Sequence, residues 1–324
     1  MTDLSKQLAD KVIVVTGASG YIGSSLVNEL SKYSVKLIRI SRKKLVPIFG
    51  IEDWILDLNE SSSWSKIVGE SDIIFHLAGN TSIYEAEANP EKSLTSTLFP
   101  ITNLINSARF LGCTPRVIFA STATVYGITE TFPVTELTKP QPITMYDLHK
   151  LFAEQQLSMA SHNSIISLAS LRLANVYGPS LTESKAVDRG VLSKVTKTRF
   201  AGGNLKVFGN GSYLRDYVYI DDVVSAFLHA GVTDKAESTF NVASGISTTV
   251  KEVFNLISIE VEKITGVTGV TENVSWPKDV NRIEKRNYIT SFEKIKSVAG
   301  WSPKISLEEG IRRLVKHYSE GYKK

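Results

Sequence analysis

The chain has 324 residues, a length that suits one large domain or two smaller ones. Its composition, 42% hydrophobic and 22% charged, is ordinary for a soluble globular protein. The net charge of +4 is mild and dispersed, which suits an anionic small-molecule ligand. No basic stripe with interleaved aromatic residues is present, so the sequence predicts no nucleic-acid partner.

The sequence carries no signal for a membrane or a metal. No run of about 18 apolar residues predicts a membrane span, and the polar N-terminus lacks the apolar core of a signal peptide. Cys113 is the only cysteine, so no intrachain disulfide can form, which suits a reducing compartment. No His, Cys and Asp residues have the spacing of metal ligands. We therefore expect a cytoplasmic protein without a membrane partner or a metal.

A buried strand and a glycine-rich turn come first. Residues 12–15 are β-branched, which is typical of a strand buried on both faces. The turn TGASGYIG follows at residues 16–23, and apolar residues at helical spacing begin at Ile22. A strand followed by the motif G-x-x-G-x-x-G and a helix predicts a pyrophosphate site, because the helix N-terminus offers free N–H groups and a positive dipole end. The alternative is a turn that needs glycine only for its own geometry.

The predicted second strand, residues 35–40, ends without an acidic residue. A carboxylate there would bond the ribose 2′-hydroxyl of NAD, whereas an arginine accommodates the 2′-phosphate of NADP. The sequence reads SRKK at residues 41–44. We therefore predict that Ser41 and Arg42 bind the 2′-phosphate of NADP, with NAD as the alternative cofactor. The other interpretation of this stretch is a solvated basic loop.

Strands alternate with helices as far as residue 173. Further strands are predicted at 54–58, 72–77, 116–120 and 165–173, with long helices at 93–111 and 145–159. This alternation predicts an α/β fold with a Rossmann-type, doubly wound parallel sheet, whose ligands bind at the carboxyl ends of the strands. At these ends we expect cofactor contacts from Asp57, Leu58, Leu77, Ala78 and Gly79. His76 is interpreted as structural.

Tyr146 and Lys150 lie four residues apart on the second of these helices, and therefore on one face of it. An ammonium about 4 Å from the phenol, at an effective dielectric of about 20, favours the phenolate by about 4 kcal/mol before desolvation. This corresponds to about three pKa units, enough to bring the tyrosine near the working pH of an acid–base catalyst. The alternative is a pair on a solvated helix face.

The regular alternation ends after Asn175. We predict a helix at 187–199, a strand at 205–208 and helices at 250–265, 291–299 and 307–320. These residues are interpreted as a smaller α/β substrate lobe. The predicted domains are a dinucleotide-binding domain of residues 1–174 and about 216–244, and a substrate lobe of about 175–215 and 245–324.

Eight motifs, in order along the chain, resemble the extended short-chain dehydrogenase/reductase superfamily in its nucleotide-sugar epimerase/dehydratase/reductase branch, which includes UDP-glucose 4-epimerase-like enzymes. The motifs are TGASGYIG at 16–23, HLAG at 76–79, STATVYG at 121–127, YDLHK at 146–150, LRLANVYGP at 171–179, LRDYVYIDDV at 214–223, FNVASG at 240–245 and GWSP at 300–303. Together they cover nearly the whole chain. The resemblance implies an NAD(P)-dependent enzyme that acts on a nucleotide-diphosphate sugar.

The resemblance also implies roles for single residues. Tyr146 is the expected acid–base residue, and Lys150 lowers its pKa and bonds the nicotinamide ribose. Thr122 is expected to bond the sugar oxygen that is oxidised or reduced. The expected cofactor contacts in the glycine turn are Gly17, Ser19, Gly20, Tyr21, Ile22 and Gly23. The expected substrate contacts are Thr122, Thr124, Asn175, Arg215 and Arg286.

Two of these assignments have stated alternatives. Arg282 could take the place of Arg286 as the second arginine on the diphosphate. For Arg215, the alternative is a structural salt bridge with Asp216 or Asp222.

Departures from the family pattern narrow the choice of reaction. Ala123-Thr124 follows Thr122 where the 4,6-dehydratases have Asp-Glu, which disfavours water elimination. Cys113 lies too early to serve as the catalytic cysteine of the fucose-synthase-type reductases. Thr97 and Pro100 replace the usual Asn and Gly of the preceding helix, so the usual cofactor contact there is not assigned.

Three functions are compatible with these residues. The first is NADP-dependent reduction of a nucleotide-linked 4-ketosugar, which the basic stretch at 41–44 favours. The second is a nucleotide-sugar 4-epimerase that retains NAD. A remote third, a non-catalytic NADP-sensing regulator, is disfavoured because such proteins commonly lose the Tyr/Lys pair. The resemblance also implies a homodimer, built through a four-helix bundle of helices 93–111 and 145–160 from each subunit.

Overall fold

The central element is a seven-stranded sheet of order β10-β6-β5-β4-β1-β2-β3. The computed structural model describes residues 4–181, 190–233, 237–278 and 280–322. Every neighbouring pair in this sheet is parallel. Helices cover both faces, so the predicted doubly wound Rossmann-type fold is confirmed.

The elements of the first half are α1 (Leu4–Leu8), β1 (Val12–Thr16), α2 (Tyr21–Leu30), β2 (Lys36–Ser41), β3 (Ile51–Ile55), α3 (Ser61–Glu70), β4 (Ile73–His76), α4 (Ile83–Ala88), α5 (Pro90–Leu111), β5 (Arg116–Thr122), α6 (Met145–His162) and β6 (Ser167–Leu173). The second half contains β7 (Asn175–Tyr177), α7 (Val191–Phe200), β8 (Leu205–Phe208), β9 (Leu214–Tyr219), α8 (Ile220–Val232), β10 (Glu237–Val242), β11 (Ser247–Thr249), α9 (Val250–Thr265), β12 (Thr271–Val274), α10 (Glu293–Ala299) and α11 (Leu307–Tyr322). Within the described residues there are also two 3₁₀ turns, Ala123–Tyr126 and Arg282–Lys285.

The two faces of the sheet bury separate apolar clusters. Successive residues of a strand point to opposite faces, and β1 shows this directly. Ile13 and Val15 belong to a cluster that includes residues of α2 and α8. Val14 belongs to the other cluster, with residues of α3, α5 and α6. Both faces of β1 are therefore apolar, which explains its continuous β-branched run.

The predicted bounds of the third strand, 54–58, were wrong. The strand β3 spans Ile51–Ile55, and its last pair is Ser41 with Ile55. The backbone N–H of Leu56 still donates to the carbonyl of Ser41, at 3.0 Å. The chain then turns at Asp57, whose carboxylate accepts from the N–H of Asn59 at 2.9 Å. An aspartate that bonds its own backbone two residues on forms a turn, which ends the strand.

The later elements form two small sheets beside the large one. One has the order β11-β9-β7 and the other pairs β12 with β8. An apolar cluster joins them to α7, α9 and α11. Within the described residues α7 begins at Val191, whereas the helix was predicted from residue 187, and positions 187–189 lie outside the described part. The division into two domains remains a prediction.

None of the helices in the described ranges is both long and apolar enough to cross a membrane. No group of three or more His, Cys, Asp and Glu side chains comes together as metal ligands in the same part of the chain.

Candidate active site

One cavity of about 1090 Å³ opens at the carboxyl ends of the central strands. Many of the residues singled out in the sequence line it, and they come from both the first and the last parts of the chain. They are Gly17, Gly20, Tyr21, Ile22, Gly23, Leu77, Thr122, Tyr146, Lys150, Asn175, Arg215 and Arg286. The size of the cavity is near the upper end for small-molecule sites, and it suits a long ligand or two adjacent ones.

The glycine turn keeps its backbone open toward this cavity. Gly17 has a φ of +67°, and a Cβ there would lie 2.8 Å from the backbone nitrogen of Ala78. A Cβ at Gly23 would lie 2.2 Å from the carbonyl oxygen of Gly17. Gly20 precedes α2 and makes no side-chain cap. The first N–H groups of α2 therefore have no side-chain acceptor from the cap position, and this turn fits a dinucleotide pyrophosphate.

Other predicted cofactor residues lie outside the cavity lining. They are Ser19, Ser41, Arg42, Asp57, Leu58, Ala78 and Gly79. Arg42 is exposed, and the hydroxyl of Ser41 donates to the carbonyl of Lys43. The buried arginine of β2 is Arg39, which forms a bidentate pair with Asp53 at 2.6 Å. The end of β2 therefore presents a hydroxyl and a solvated guanidinium, with no carboxylate.

Tyr146 and Lys150 are brought together on α6 and both line the cavity. Lys150 is 3% exposed, and its Nζ donates to the carbonyl of Ala120 at 2.8 Å. The same Nζ lies 4.8 Å from the ring centroid of Phe119. Burial lowers the pKa of Lys150 to about 8, with the Glu154 carboxylate acting in the opposite direction. The ammonium form is therefore the main form at neutral pH.

The Lys150 ammonium lies near the start of the loop after β4. A Cβ added at Gly79 would lie 3.7 Å from Lys150 Nζ and 3.8 Å from the carbonyl oxygen of Ser96. That carbonyl is four residues before Pro100, which has no N–H to donate to it. The departure from the family pattern in α5 therefore leaves a backbone acceptor close to this loop.

The loop that follows β5 contains a short chain of hydrogen bonds. Thr122 Oγ1 lies 2.8 Å from Thr124 Oγ1. The hydroxyl of Thr124 donates in turn to the carboxylate of Asp147. Thr124 itself does not line the cavity, whereas Thr122 does. Asp147 is fully buried and was not singled out from the sequence, because the contact spans 23 positions and carries no local signal.

Two buried arginines lie side by side in the cavity wall, each 7% exposed. The guanidinium of Arg215 donates to the carbonyls of Leu214, Glu284 and Arg286. Burial, and then the positive charge of Arg286, lower the pKa of Arg215 to about 10. Burial also lowers the pKa of Arg286. The carboxylate of Glu284, which also lines the cavity, raises both pKa values, but no ion pair to either guanidinium is present among the described residues. Two cations held together in this way form a site for an anion.

The structure shows which contacts the acidic residues in the alternatives for these arginines make. Asp216 accepts from the backbone of Ser244, Gly245 and Thr290. Asp222 accepts from the N–H groups of Lys304 and Ile305, both at 3.0 Å. Neither carboxylate forms the predicted alternative salt bridge with Arg215 in the described part of the chain. Arg282 is exposed, so Arg286 is the second arginine in the cavity.

Two donors in this wall have no partner within the described residues. They are Nδ2 of Asn175 and Nε of Arg286. Buried donors usually have acceptors. An anionic ligand in the cavity would supply them.

An aromatic cluster was missed by the sequence analysis. Phe208 and Trp276 stack with ring centroids 5.2 Å apart and an interplanar angle of 23°. Tyr213 meets Trp276 edge-on at 5.7 Å. All three rings line the cavity. The glycines at 209 and 211 were the only nearby signal, and they do not indicate which distant aromatic residue completes the cluster.

Comparison with known proteins identifies the family. Residues 13–243 match the model of the NAD dependent epimerase/dehydratase family. The chain belongs to this family. It is a member of the nucleotide-sugar branch of the extended short-chain dehydrogenases/reductases, and it is an NAD(P)-dependent enzyme.

Three relatives of this family member cover nearly its whole length. UDP-glucose 4-epimerase of Mycolicibacterium smegmatis is 28% identical, over 94% of this chain and 97% of the relative. The dTDP-4-dehydro-6-deoxyglucose reductase of Escherichia coli is 26% identical, over 94% and 96%. The crystal structure of UDP-glucose 4-epimerase from Thermotoga maritima with UDP-glucose superimposes with a TM-score of 0.83. It is 28% identical, over 95% of this chain and 99% of that structure.

Proposed function

We propose that this family member reduces the 4-keto group of a sugar linked to a nucleoside diphosphate, with NADPH as reductant. The observation that carries the proposal is the content of one cavity. Tyr146, Lys150 and Thr122 lie in it together with the paired guanidinium groups of Arg215 and Arg286. A nucleotide-sugar oxidoreductase requires a proton donor for the sugar and a binding site for the diphosphate of the same ligand.

Each side chain has a distinct task in this proposal. Tyr146 gives its phenolic proton to the sugar C4 oxygen, and the Lys150 ammonium stabilises the phenolate that remains. Thr122 hydrogen-bonds the same oxygen. Arg215 and Arg286 bind the diphosphate oxygens, which fixes the sugar relative to Tyr146.

The glycine turn at residues 17–23 would hold the dinucleotide, and Lys150 would bond its nicotinamide ribose. The nicotinamide supplies the hydride when bound. The flat surface of Phe208 and Trp276 suits stacking on a nucleobase. In this proposal the base and the diphosphate would lie in the predicted smaller lobe.

The preference for NADP rests on the end of β2. A carboxylate at this point would bond the ribose 2′-hydroxyl and repel a 2′-phosphate. Ser41 and the exposed Arg42 stand there instead. The reductase relative from E. coli supports the same direction of reaction.

A second candidate is a nucleotide-sugar 4-epimerase with retained NAD. The names of the relatives from M. smegmatis and T. maritima favour it. The same Tyr146, Lys150 and Thr122 would serve, because an epimerase first oxidises C4 and then reduces its other face. The two candidates differ in whether the cofactor is consumed.

The test is turnover of a nucleotide-linked 4-ketosugar with NADPH, which is measured as the loss of the NADPH absorbance. The proposal expects one NADPH to be oxidised for each ketosugar reduced. No NADPH oxidation, together with interconversion of UDP-glucose and UDP-galactose without added cofactor, would establish the epimerase instead. Turnover of either kind excludes the regulator.

The variant Tyr146→Phe tests the mechanism in either reaction. It removes one hydroxyl, and we expect kcat to fall at least about 10²-fold, the usual contribution of a general acid. Cofactor binding, followed by fluorescence of bound NADPH, should persist. Full activity of this variant would rule out Tyr146 as the proton donor.

A further inference from the structure

The side chains of Thr122, Thr124 and Asp147 form one continuous hydrogen-bonded chain. One end, Thr122, lies in the cavity, and the other end, Asp147, is completely buried. The contacts are 2.8 Å between the two hydroxyl oxygens, and a bond from Thr124 to Asp147 Oδ1. The N–H of Thr124 also donates to Thr122 Oγ1 at 3.2 Å. A buried carboxyl is therefore linked to the hydroxyl at the reaction centre.

The direction of the bonds in this chain depends on whether Oδ1 of Asp147 carries a proton. A hydroxyl has one proton to give, and an ionised carboxylate can only accept. With Asp147 ionised, Thr124 must donate to it, so Thr122 must donate to Thr124. Thr122 then has only a lone pair left for the ligand. With Asp147 protonated on Oδ1, where Thr124 offers an acceptor that Oδ2 lacks among the described residues, the carboxyl donates to Thr124, Thr124 donates to Thr122, and the proton of Thr122 becomes free to point into the cavity.

We propose that Asp147 is a positioning residue that makes Thr122 a donor to a sugar ketone when Asp147 is protonated, and an acceptor from a sugar alcohol when it is ionised. This inference rests on the proposed function, because it concerns the oxygen that Tyr146 and Thr122 share. A ketone oxygen has no proton and needs donors, whereas an alcohol needs an acceptor. The protonation state of Asp147 thus determines whether Thr122 suits a sugar ketone or a sugar alcohol.

The surroundings of Asp147 place its titration in a useful range. Burial raises the pKa of this carboxyl to about 6, against the hydrogen bonds from Thr124 and Thr144. Two charged groups on other elements face it. Arg286, after the 3₁₀ turn, lowers its pKa, and Glu87 of α4 raises it. Its second oxygen, Oδ2, is buried without a partner in the described residues.

The test is a pH profile of both half-reactions. In the wild type, kcat/KM for ketosugar reduction should fall by about tenfold as pH rises through about 6, the effect of losing one hydrogen bond to the reacting oxygen. Oxidation of the matching nucleotide-linked alcohol with NADP should rise over the same interval. Thr124→Val, nearly equal in shape but without a hydroxyl, should lose both changes. Thr124→Ser, which keeps the hydroxyl, should retain them.

Persistence of the pH 6 change in Thr124→Val would overturn the inference. If that variant does not fold, Asp147→Asn serves in its place, because its amide does not titrate and the change near pH 6 should vanish. A change that persists in Asp147→Asn likewise overturns the inference.

A second measurement does not depend on turnover. The carboxyl ¹³C signal of Asp147, assigned by its absence in Asp147→Asn, should titrate near pH 6. Thr124→Val should raise its pKa, because the variant removes a bond that stabilises the ionised form. An unchanged pKa in Thr124→Val would show that the chain of bonds is not formed. Lack of turnover by the wild type, by contrast, would count only against the proposed function.

Discussion

His76 is held neutral by its surroundings. Its ring stacks on Phe119 and meets Trp64 edge-on, with centroids 5.9 and 5.4 Å away. Its Nδ1 lies 2.8 Å from the hydroxyl of Thr16. Burial, and then the charge of Lys150, lower its pKa from 6.5 to about 3. His76 is therefore a buried, neutral side chain that contacts Thr16 at the end of β1, and it does not exchange protons near neutral pH.

This lowered pKa makes the free energy of unfolding depend on pH. Below about pH 6.5 the unfolded chain binds a proton at His76 that the folded chain does not bind, so stability falls as pH falls toward 3. The loss is about 1.4 kcal/mol per pH unit once His76 is charged in the unfolded state. Urea unfolding measures the free energy of unfolding at pH 7 and at pH 5. The decrease in this free energy from pH 7 to pH 5 should be about 2 kcal/mol smaller in His76→Asn than in the wild type. The exposed His162→Asn should behave as the wild type, and an equal loss in all three proteins would contradict this account.

Single residues differ in how far the sequence could place them. Tyr146 and Lys150 were predictable as neighbours, because the helix alone sets their spacing. Arg286 was not distinguishable from Arg282, since both lie in one polar stretch and only folding buries one of them. Asp147 sits inside the YDLHK motif, yet its contact with Thr124 depends on how α6 packs against β5. Contacts between distant segments have no local signature.

At the scale of elements, a buried ion pair fixes α6 to the sheet. The carboxylate of Glu154 accepts from Arg172 of β6 at 2.6 Å and also from the hydroxyl of Ser121 in β5. The guanidinium carbon of Arg172 lies 4.7 Å from the ring centroid of Tyr126. Glu154 is one turn beyond Lys150 on the same helix. The pair therefore fixes the position and rotation of the helix that carries Tyr146 and Lys150.

Breaking this pair at one end should be costly. Glu154→Met leaves the Arg172 charge buried, and we expect a loss of about 3–5 kcal/mol in the free energy of unfolding. The double variant Glu154→Met with Arg172→Met removes both charges and should recover most of that loss. Denaturant unfolding of the two variants measures the difference. If the double variant were less stable than Glu154→Met, the pair would not be the source of the cost.

The sequence located long, regular elements better than short or polar ones. The predicted α9 and β8 match their final bounds, because capping residues or glycines flank a periodic core. The helix α3 was not predicted. Its sequence, SSSWSKIVGE, is rich in serine, and only Trp64, Ile67 and Val68 anchor it. The strand β3 was displaced because the turn chemistry of Asp57 decides its end, and hydrophobicity does not.

At the scale of the whole molecule, α5 and α6 present an apolar outer surface. On α6, Met145, Phe152 and Met159 are spaced by seven residues, or nearly two turns, and all three are exposed. Phe99 and Phe110 of α5 are also exposed, Phe110 to 87%. We propose that two chains bury this surface against each other in a homodimer. An apolar surface of this kind on adjacent helices suits a helix-bundle interface.

The dimer is tested by charging its surface. Light scattering of the wild type should give about twice the chain mass of 35.7 kDa. The double variant Phe152→Glu with Met159→Glu should give the mass of one chain, because two carboxylates cannot be buried at low cost. Ile259→Glu, a change at an equally apolar exposed position of α9, is the matched control and should remain dimeric. A wild type at 35.7 kDa would refute the dimer.

The overall architecture was the most predictable feature, because it follows from alternation repeated over many elements. The cavity was only partly predictable. The side proposed for the cofactor comes from successive strand ends, whose positions follow from the parallel order. The side proposed for the substrate needs Trp276 and Arg286, which come from segments without a periodic pattern. Their positions follow from packing against β8 and β9.

One segment, residues 283–290, connects the paired arginines to the loop after β5. The carbonyl of Arg286 accepts from Arg215, and the hydroxyl of Tyr288 donates to the carbonyl of Ala123 at 3.2 Å. The N–H of Thr290 donates to Asp216. The segment therefore supports residues 122–126 through Tyr288 and also carries Arg286, the second arginine of the cavity. A chimaera with a relative must exchange residues 122–126 and 283–290 as one unit, because either graft alone would mismatch the loop and its support.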